Sequence, residues 1–77
     1  MPRLTNRLRV ARAERDLSQP DLAALAGVTR QTISSIETYQ YVPSALLAFT
    51  LARRLALTVE ELFALEGDEG ASPRGRP

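Results

Sequence analysis

The run Arg30-Gln31-Thr32-Ile33-Ser34-Ser35 puts five polar side chains within six residues. An arginine fork matches the O6/N7 edge of guanine, and a carboxamide matches the N6/N7 edge of adenine. Arg30 and Gln31 therefore carry the chemistry of base-edge recognition, with Ser35 one helical turn further on. Most other chemistries are closed to the chain. Its 77 residues include no cysteine and no histidine. Disulfides, thiolate metal sites, imidazole acid–base catalysis and histidine-held zinc are all excluded. No carboxylates converge in the sequence either, so no catalytic residue, no metal and no cofactor is expected.

The charge distribution points the same way. The net charge is only +1, but residues 1–54 hold eight arginines against four acids, a balance of +4. Residues 55–77 hold two arginines against five acids, a balance of −3. A basic front and an acidic back suit a protein with one anionic partner face. No apolar run reaches membrane-spanning length, and Met1 to Asn6 lacks the apolar segment of a secretory signal. A cytoplasmic location with no membrane partner is the expectation.

The elements that must position these side chains read as helices throughout. Scattered valines and isoleucines give no alternating strand pattern. A first helix is predicted over Asn6 to Arg15, with Leu8, Ala11 and Arg12 on one face and Leu4 a turn earlier. Ser18 caps a second helix over Gln19 to Ala26, with Asp21 at the capping-box position and Pro20 in the first turn. Gly27 ends it in the left-handed region. Thr29 caps a third helix from Arg30 to Glu37 or Thr38. Thr38 to Pro43 reads as a loop. Ser44 caps a fourth helix to about Leu55, with Leu47, Leu51 and Leu55 as its core stripe. Thr58 and Glu61 form a capping box on a short fifth helix. The domain is predicted over residues 1–66, followed by a disordered tail over 67–77.

Two short helices joined by a glycine-containing turn, the second polar on one face, describe a helix-turn-helix. Leu22, Ala26, Val28, Ile33 and Ile36 form its small internal core, and Ala23 must be small where the third helix crosses the second. The start of the third helix, with Arg30 and Gln31, is the part that enters a DNA major groove.

At this point the chain resembles the XRE-type helix-turn-helix family of phage repressors, Cro proteins and small bacterial regulators. The resemblance is carried by Asn6-Arg7-Leu8, Arg12, Leu17-Ser18-Gln19, Leu22-Ala23, Gly27 to Ser34, Ile36-Glu37, Pro43-Ser44 and Glu60 to Phe63. It implies an all-α, five-helix repressor-like domain that binds double-stranded DNA. It further implies base contacts from Arg30, Gln31 and Ser35 and phosphate contacts from Gln19, Thr29 and Thr32. Thr38, Tyr39 and Tyr41 would add backbone contacts from the loop. Arg12 and Glu37 would form a structural ion pair between the first helix and the end of the third.

Two positions depart from the family pattern. The family commonly follows the glutamate of the third helix with Asn-Gly and a basic residue. Here the stretch is Thr38-Tyr39-Gln40, which lacks the cation and has Tyr39 in place of a residue free to take positive φ. Ala56 stands where a glycine often ends the fourth helix. The basic residues Arg3, Arg7 and Arg9 read as one helix face, with Arg7 nearest the DNA backbone.

Leu46 and Phe49 lie off the core stripe of the fourth helix. They are either scattered surface apolars or a two-fold dimer contact, and the dimer is favoured because one module this small binds DNA weakly. The functional expectation is a sequence-specific transcriptional regulator, a repressor binding a palindromic operator as a homodimer. The competing reading is a protein-interaction module, such as the antitoxin that holds a toxin partner.

Overall fold

The computed structural model describes residues 2–67. Its elements run β1 (Arg3–Asn6), α1 (Leu8–Glu14), α2 (Gln19–Ala26), α3 (Arg30–Glu37), α4 (Ala45–Arg54), α5 (Val59–Leu62) and β2 (Phe63–Glu66). The tail expected to be disordered lies, from residue 68 on, outside the described residues.

Four of the helices start on a hydroxyl. The side chains of Ser18, Thr29, Ser44 and Thr58 accept the backbone N–H of Asp21, Thr32, Leu47 and Glu61 at 3.1 to 3.2 Å. Asp21 and Glu61 return the contact, accepting the N–H of Ser18 at 2.9 Å and of Thr58 at 2.8 Å. Each such cap satisfies a donor that the helix leaves open and contributes about 1 kcal/mol.

The helix ends share a second device. After α1, α2, α3 and α4 the chain turns through one left-handed residue: Asp16 (φ 56°), Gly27 (φ 74°), Tyr39 (φ 64°) and Ala56 (φ 58°). The residue after each sends its N–H back into the helix, from Leu17 to Arg12, Val28 to Ala23, Gln40 to Ser35 and Leu57 to Ala52, at 2.8 to 3.1 Å. These are Schellman closures, and only one of the four uses the residue that adopts them without a Cβ penalty.

The core gathers Leu8 and Ala11 from α1, Leu22 and Ala23 from α2, and Ile33 and Ile36 from α3. Leu51, Ala52, Leu55, Leu62 and Phe63 complete it. Leu47, expected in the stripe of α4, is half-buried against this core, and Ala52 joins Leu51 and Leu55 as a buried residue of the helix.

The expectation of helices throughout is corrected at the two ends. β1 and β2 pair antiparallel, with Arg3 opposite Glu66, Leu4 opposite Leu65, Thr5 opposite Ala64 and Asn6 opposite Phe63. Leu4 and Asn6 thus belong to a strand and not to the first helix, which starts at Leu8. Four-residue segments carry too little periodicity to declare themselves. They pair because α5 returns the chain to its own beginning, where Arg7 N–H donates to the Leu62 carbonyl at 2.9 Å.

Candidate nucleic-acid interface

The site starts from how α3 is held. Ile33 and Ile36 are buried against Leu22 and Ala23 of α2, which leaves the polar face of α3 outward. Gly27 makes the turn between the helices, and Thr29 then sets the first turn of α3 through its contacts with Thr32. Its Oγ1 accepts the Thr32 N–H, and the two hydroxyl oxygens lie 3.0 Å apart.

On the outward face Arg30 and Gln31 are exposed and Ser35 is half-buried. Gln31 Nε2 donates to Ser35 Oγ at 3.2 Å, so these two expected base readers are already aligned along one edge. Tyr41 comes back over the same face, because its N–H reaches the Ser35 carbonyl at 3.2 Å. Gln31, Thr32, Ser35 and Tyr41 together line a shallow hollow of about 240 Å³. The structure therefore brings the start of α3 and the following loop onto one surface.

The far end of α3 is fastened by charge. Arg12 Nε donates to Glu37 Oε2 at 2.7 Å and Nη2 to Oε1 at 3.2 Å, while Nη1 donates to the Leu17 carbonyl at 2.9 Å. The Glu37 side chain is 1% exposed and that of Arg12 16%. The hydrogen bond to Glu37 raises the Arg12 pKa above its ordinary value. Burial pushes the Glu37 carboxyl upward, but its hydrogen bonds from Arg12 and Gln19 and the nearby arginine charges outweigh that and leave it lowered. Both groups are thus ionised over the whole neutral range.

Gln19, expected at phosphate, is part of this network. Its Nε2 donates to Glu37 Oε1 at 3.0 Å. One amide N–H is thereby fixed, and the side chain is held at the start of α2. Thr38 Oγ1 donates to the Ser34 carbonyl at 2.9 Å, so its hydroxyl proton is directed inward. Tyr39 and Tyr41 are both exposed. Leu46 and Phe49 lie exposed on α4, 79% and 63% accessible, away from the core.

Three residues matter more than the sequence suggested. Asn6 Nδ2 donates to the Ile36 carbonyl at 3.0 Å, and Asn6 Oδ1 accepts the Leu8 N–H at 3.0 Å, so one amide ties β1, α1 and the end of α3. The local half of this was available in the sequence, since asparagine commonly accepts the N–H two residues on in an Asx turn. Arg15 Nε donates to the Leu55 carbonyl at 2.8 Å, closing α1 onto the end of α4. Arg3, read as part of a helix face, stands on β1 with its guanidinium carbon 5.4 Å from the centroid of the Tyr39 ring. No local pattern announced the last two, because each spans a long separation in sequence.

Among the described residues no cluster of metal-binding side chains occurs, and no helix is long and apolar enough to cross a membrane.

Comparison with known proteins covers nearly all of this frame. The family described as Helix-turn-helix matches residues 8–62. An uncharacterized HTH-type transcriptional regulator of Methanocaldococcus jannaschii is 44% identical over 66 residues, spanning 86% of this chain and 100% of that protein. The uncharacterized HTH-type transcriptional regulator YgzD of Bacillus subtilis is 40% identical over 63 residues, 82% of this chain and 96% of its own. Among solved structures, the restriction-modification controller protein C.AhdI from Aeromonas hydrophila superposes with a TM-score of 0.69 at 34% identity, covering 71% of this chain and 83% of that one. Archaeal proteins stand among these relatives, so the likeness does not narrow the source to bacteria.

Proposed function

The chain belongs to the helix-turn-helix family of DNA-binding transcriptional regulators, and from that premise we propose that it represses transcription by holding a palindromic operator as a homodimer. It is a binding protein and not an enzyme. The observation that supports sequence-specific DNA recognition is the outward face of α3, where a capped first turn presents Arg30 and Gln31 and a hydrogen bond aligns Gln31 with Ser35.

In this reading Arg30, Gln31 and Ser35 meet base edges in the major groove. Each bidentate contact discriminates by about 1–3 kcal/mol against a wrong base. Gln19, Thr29 and Thr32 hold phosphates on one side of the groove. Thr38, Tyr39 and Tyr41 adjoin the backbone on the other, Tyr39 and Tyr41 through exposed side chains and Thr38 by turning its hydroxyl from the Ser34 carbonyl to a phosphate. Arg12 and Glu37 touch no DNA and hold α1, α2 and α3 in register. Residues 1–66 act as the DNA-binding domain, in the cytoplasm and without a cofactor.

The exposed Leu46 and Phe49 supply the contact between two copies, which places two recognition helices on half-sites about one helical turn, ~34 Å, apart. Excluded-site repression follows from occupancy of the operator alone.

Selection of bound duplexes from a random DNA pool tests the reading. The expected product is a site with two half-sites related by a two-fold axis. Enrichment of a lone half-site removes the homodimer. No enrichment of any duplex removes DNA recognition and favours a module that holds another protein.

A further inference from the structure

Between Glu37 and Arg53 the chain has no charged residue at all. The loop after α3 therefore has no cation of its own to set against a DNA phosphate. The tertiary structure delivers one from elsewhere. β1 runs past the end of α3, where Asn6 binds the Ile36 carbonyl, and it places Arg3 over the Tyr39 ring at 5.4 Å. That distance lies within the range of a cation–π contact. Tyr39 also lines a hollow of about 300 Å³ with Asn6, Arg7, Arg9, Val10 and Glu37. Arg3 thus lies over the tyrosine of the turn, and Arg7 and Arg9 line the hollow beside it.

We propose that Arg3, lying over Tyr39, is a DNA-phosphate contact of this protein and supplies the cation that the loop lacks. The ring holds the guanidinium beside the loop, and Arg7 and Arg9 strengthen the positive field around it. A contact with the ring face leaves the edge N–H groups of the guanidinium available to a phosphate. Arg3 Nε is engaged by Glu66 Oε1 at 2.9 Å, which leaves the two terminal nitrogens. Both partners of this ion pair are more than 60% exposed, so it is weakly held and yields to a polyanion. This inference rests on the DNA-binding reading above and adds a residue to it that lies outside the helix-turn-helix.

The test is a salt series of binding to the selected duplex by the full-length chain, with thermal melting of each variant. Arg3→Gln is expected to weaken binding about threefold or more at low salt, for all sequences alike, and to lower the slope of log K against log salt by about 1. Glu66→Gln is expected to strengthen binding, because a carboxylate that competes for Arg3 is removed. Tyr39→Phe keeps the ring beneath Arg3 and is expected to keep the salt slope of the unaltered protein, so that any fall in its affinity reads the tyrosine hydroxyl alone. Tyr39→Gly is expected to melt higher, since glycine accepts the left-handed turn, and yet to bind as weakly as Arg3→Gln.

The two readings fail differently. An unaltered protein that binds no duplex, or binds without salt dependence, refutes DNA recognition itself. An unaltered protein that binds with a steep salt slope, matched in affinity and slope by Arg3→Gln, overturns the Arg3 assignment alone. So does a loss in Tyr39→Phe with none in Arg3→Gln, which would give the contact to the tyrosine hydroxyl, and so does a Tyr39→Gly variant that binds as tightly as the unaltered protein.

Discussion

The two turns that bracket the recognition helix are built alike and filled differently. Before α3 the chain turns at Gly27 with φ 74°, and after it at Tyr39 with φ 64°. Each is closed by the same pair of returning N–H groups. At Gly27 a Cβ would meet nothing within 4 Å, so glycine is required there by backbone conformation and not by space. At Tyr39 a bulky residue accepts a conformation that costs an L-residue roughly 1–2 kcal/mol. Such strain persists where the surroundings over-determine it. Around Tyr39 they do. Asn6 holds the Ile36 carbonyl, Arg12 and Gln19 hold Glu37, and Arg3 lies over the ring. The first turn is cheap and joins two helices. The second is strained and puts an aromatic ring at the edge of the proposed DNA surface.

The contrast can be broken most severely at its anchor. Glu37→Ala leaves the Arg12 charge with little solvent and no carboxylate partner, and about 3–5 kcal/mol of stability is expected to go. A melting curve like that of the unaltered protein would mean that the ion pair does not hold the end of α3. The same pair gives a pH dependence of known sign. The Glu37 carboxyl is depressed in the folded state, so its contribution is complete above the ordinary glutamate value. That contribution is lost as the pH falls through the depressed value. Acid titration of thermal stability is expected to show this loss in the unaltered protein and a much flatter profile in Glu37→Ala.

Asn6→Ala removes both hydrogen bonds that tie β1 to α1 and α3, and about 1–3 kcal/mol is expected, chiefly from the Leu8 N–H left unpaired, since the Ile36 carbonyl keeps the Tyr39 N–H. Gly27→Ala forces a Cβ into the left-handed region and is expected to cost about 1–2 kcal/mol by chemical denaturation. Tyr39→Gly should go the other way, gaining about 0.5–1 kcal/mol after the greater freedom of an unfolded glycine is discounted. Ala56→Gly is the control for it. Ala56 closes α4 in the same geometry, far from the recognition helix in sequence, so a similar or smaller gain is expected with DNA affinity unchanged. A loss of affinity in Ala56→Gly as well would show that stiffness of the whole fold, and not the Tyr39 ring, governs binding.

Much of this was legible in the chain. Ser18, Thr29, Ser44 and Thr58 announced the helix starts because a hydroxyl before a run of helix formers satisfies a local donor. Gly27 announced a turn for an equally local reason. The face carrying Arg30, Gln31 and Ser35 followed from the spacing of Ile33 and Ile36, which leaves those residues on the opposite side. The meeting of Arg12 with Glu37 was legible only through the family pattern. The strands at the two ends were not legible. Arg3–Asn6 and Phe63–Glu66 are too short to show a period, and neither is stable without the other.

What the sequence by itself determined is therefore local: the caps, the turns, the amphipathic pitch of each helix and the chemistry of the exposed face of α3. These depend on neighbours within about one helical turn, and the relevant energies act whether or not the rest of the chain has folded. Only the tertiary structure decided which distant groups meet. It paired the ends of the described chain into a sheet, directed the Gln19 amide to Glu37, and brought Arg3 to a tyrosine far along the sequence. Such contacts are set by how the buried faces of the helices pack around one core, and no stretch of residues carries that arrangement alone.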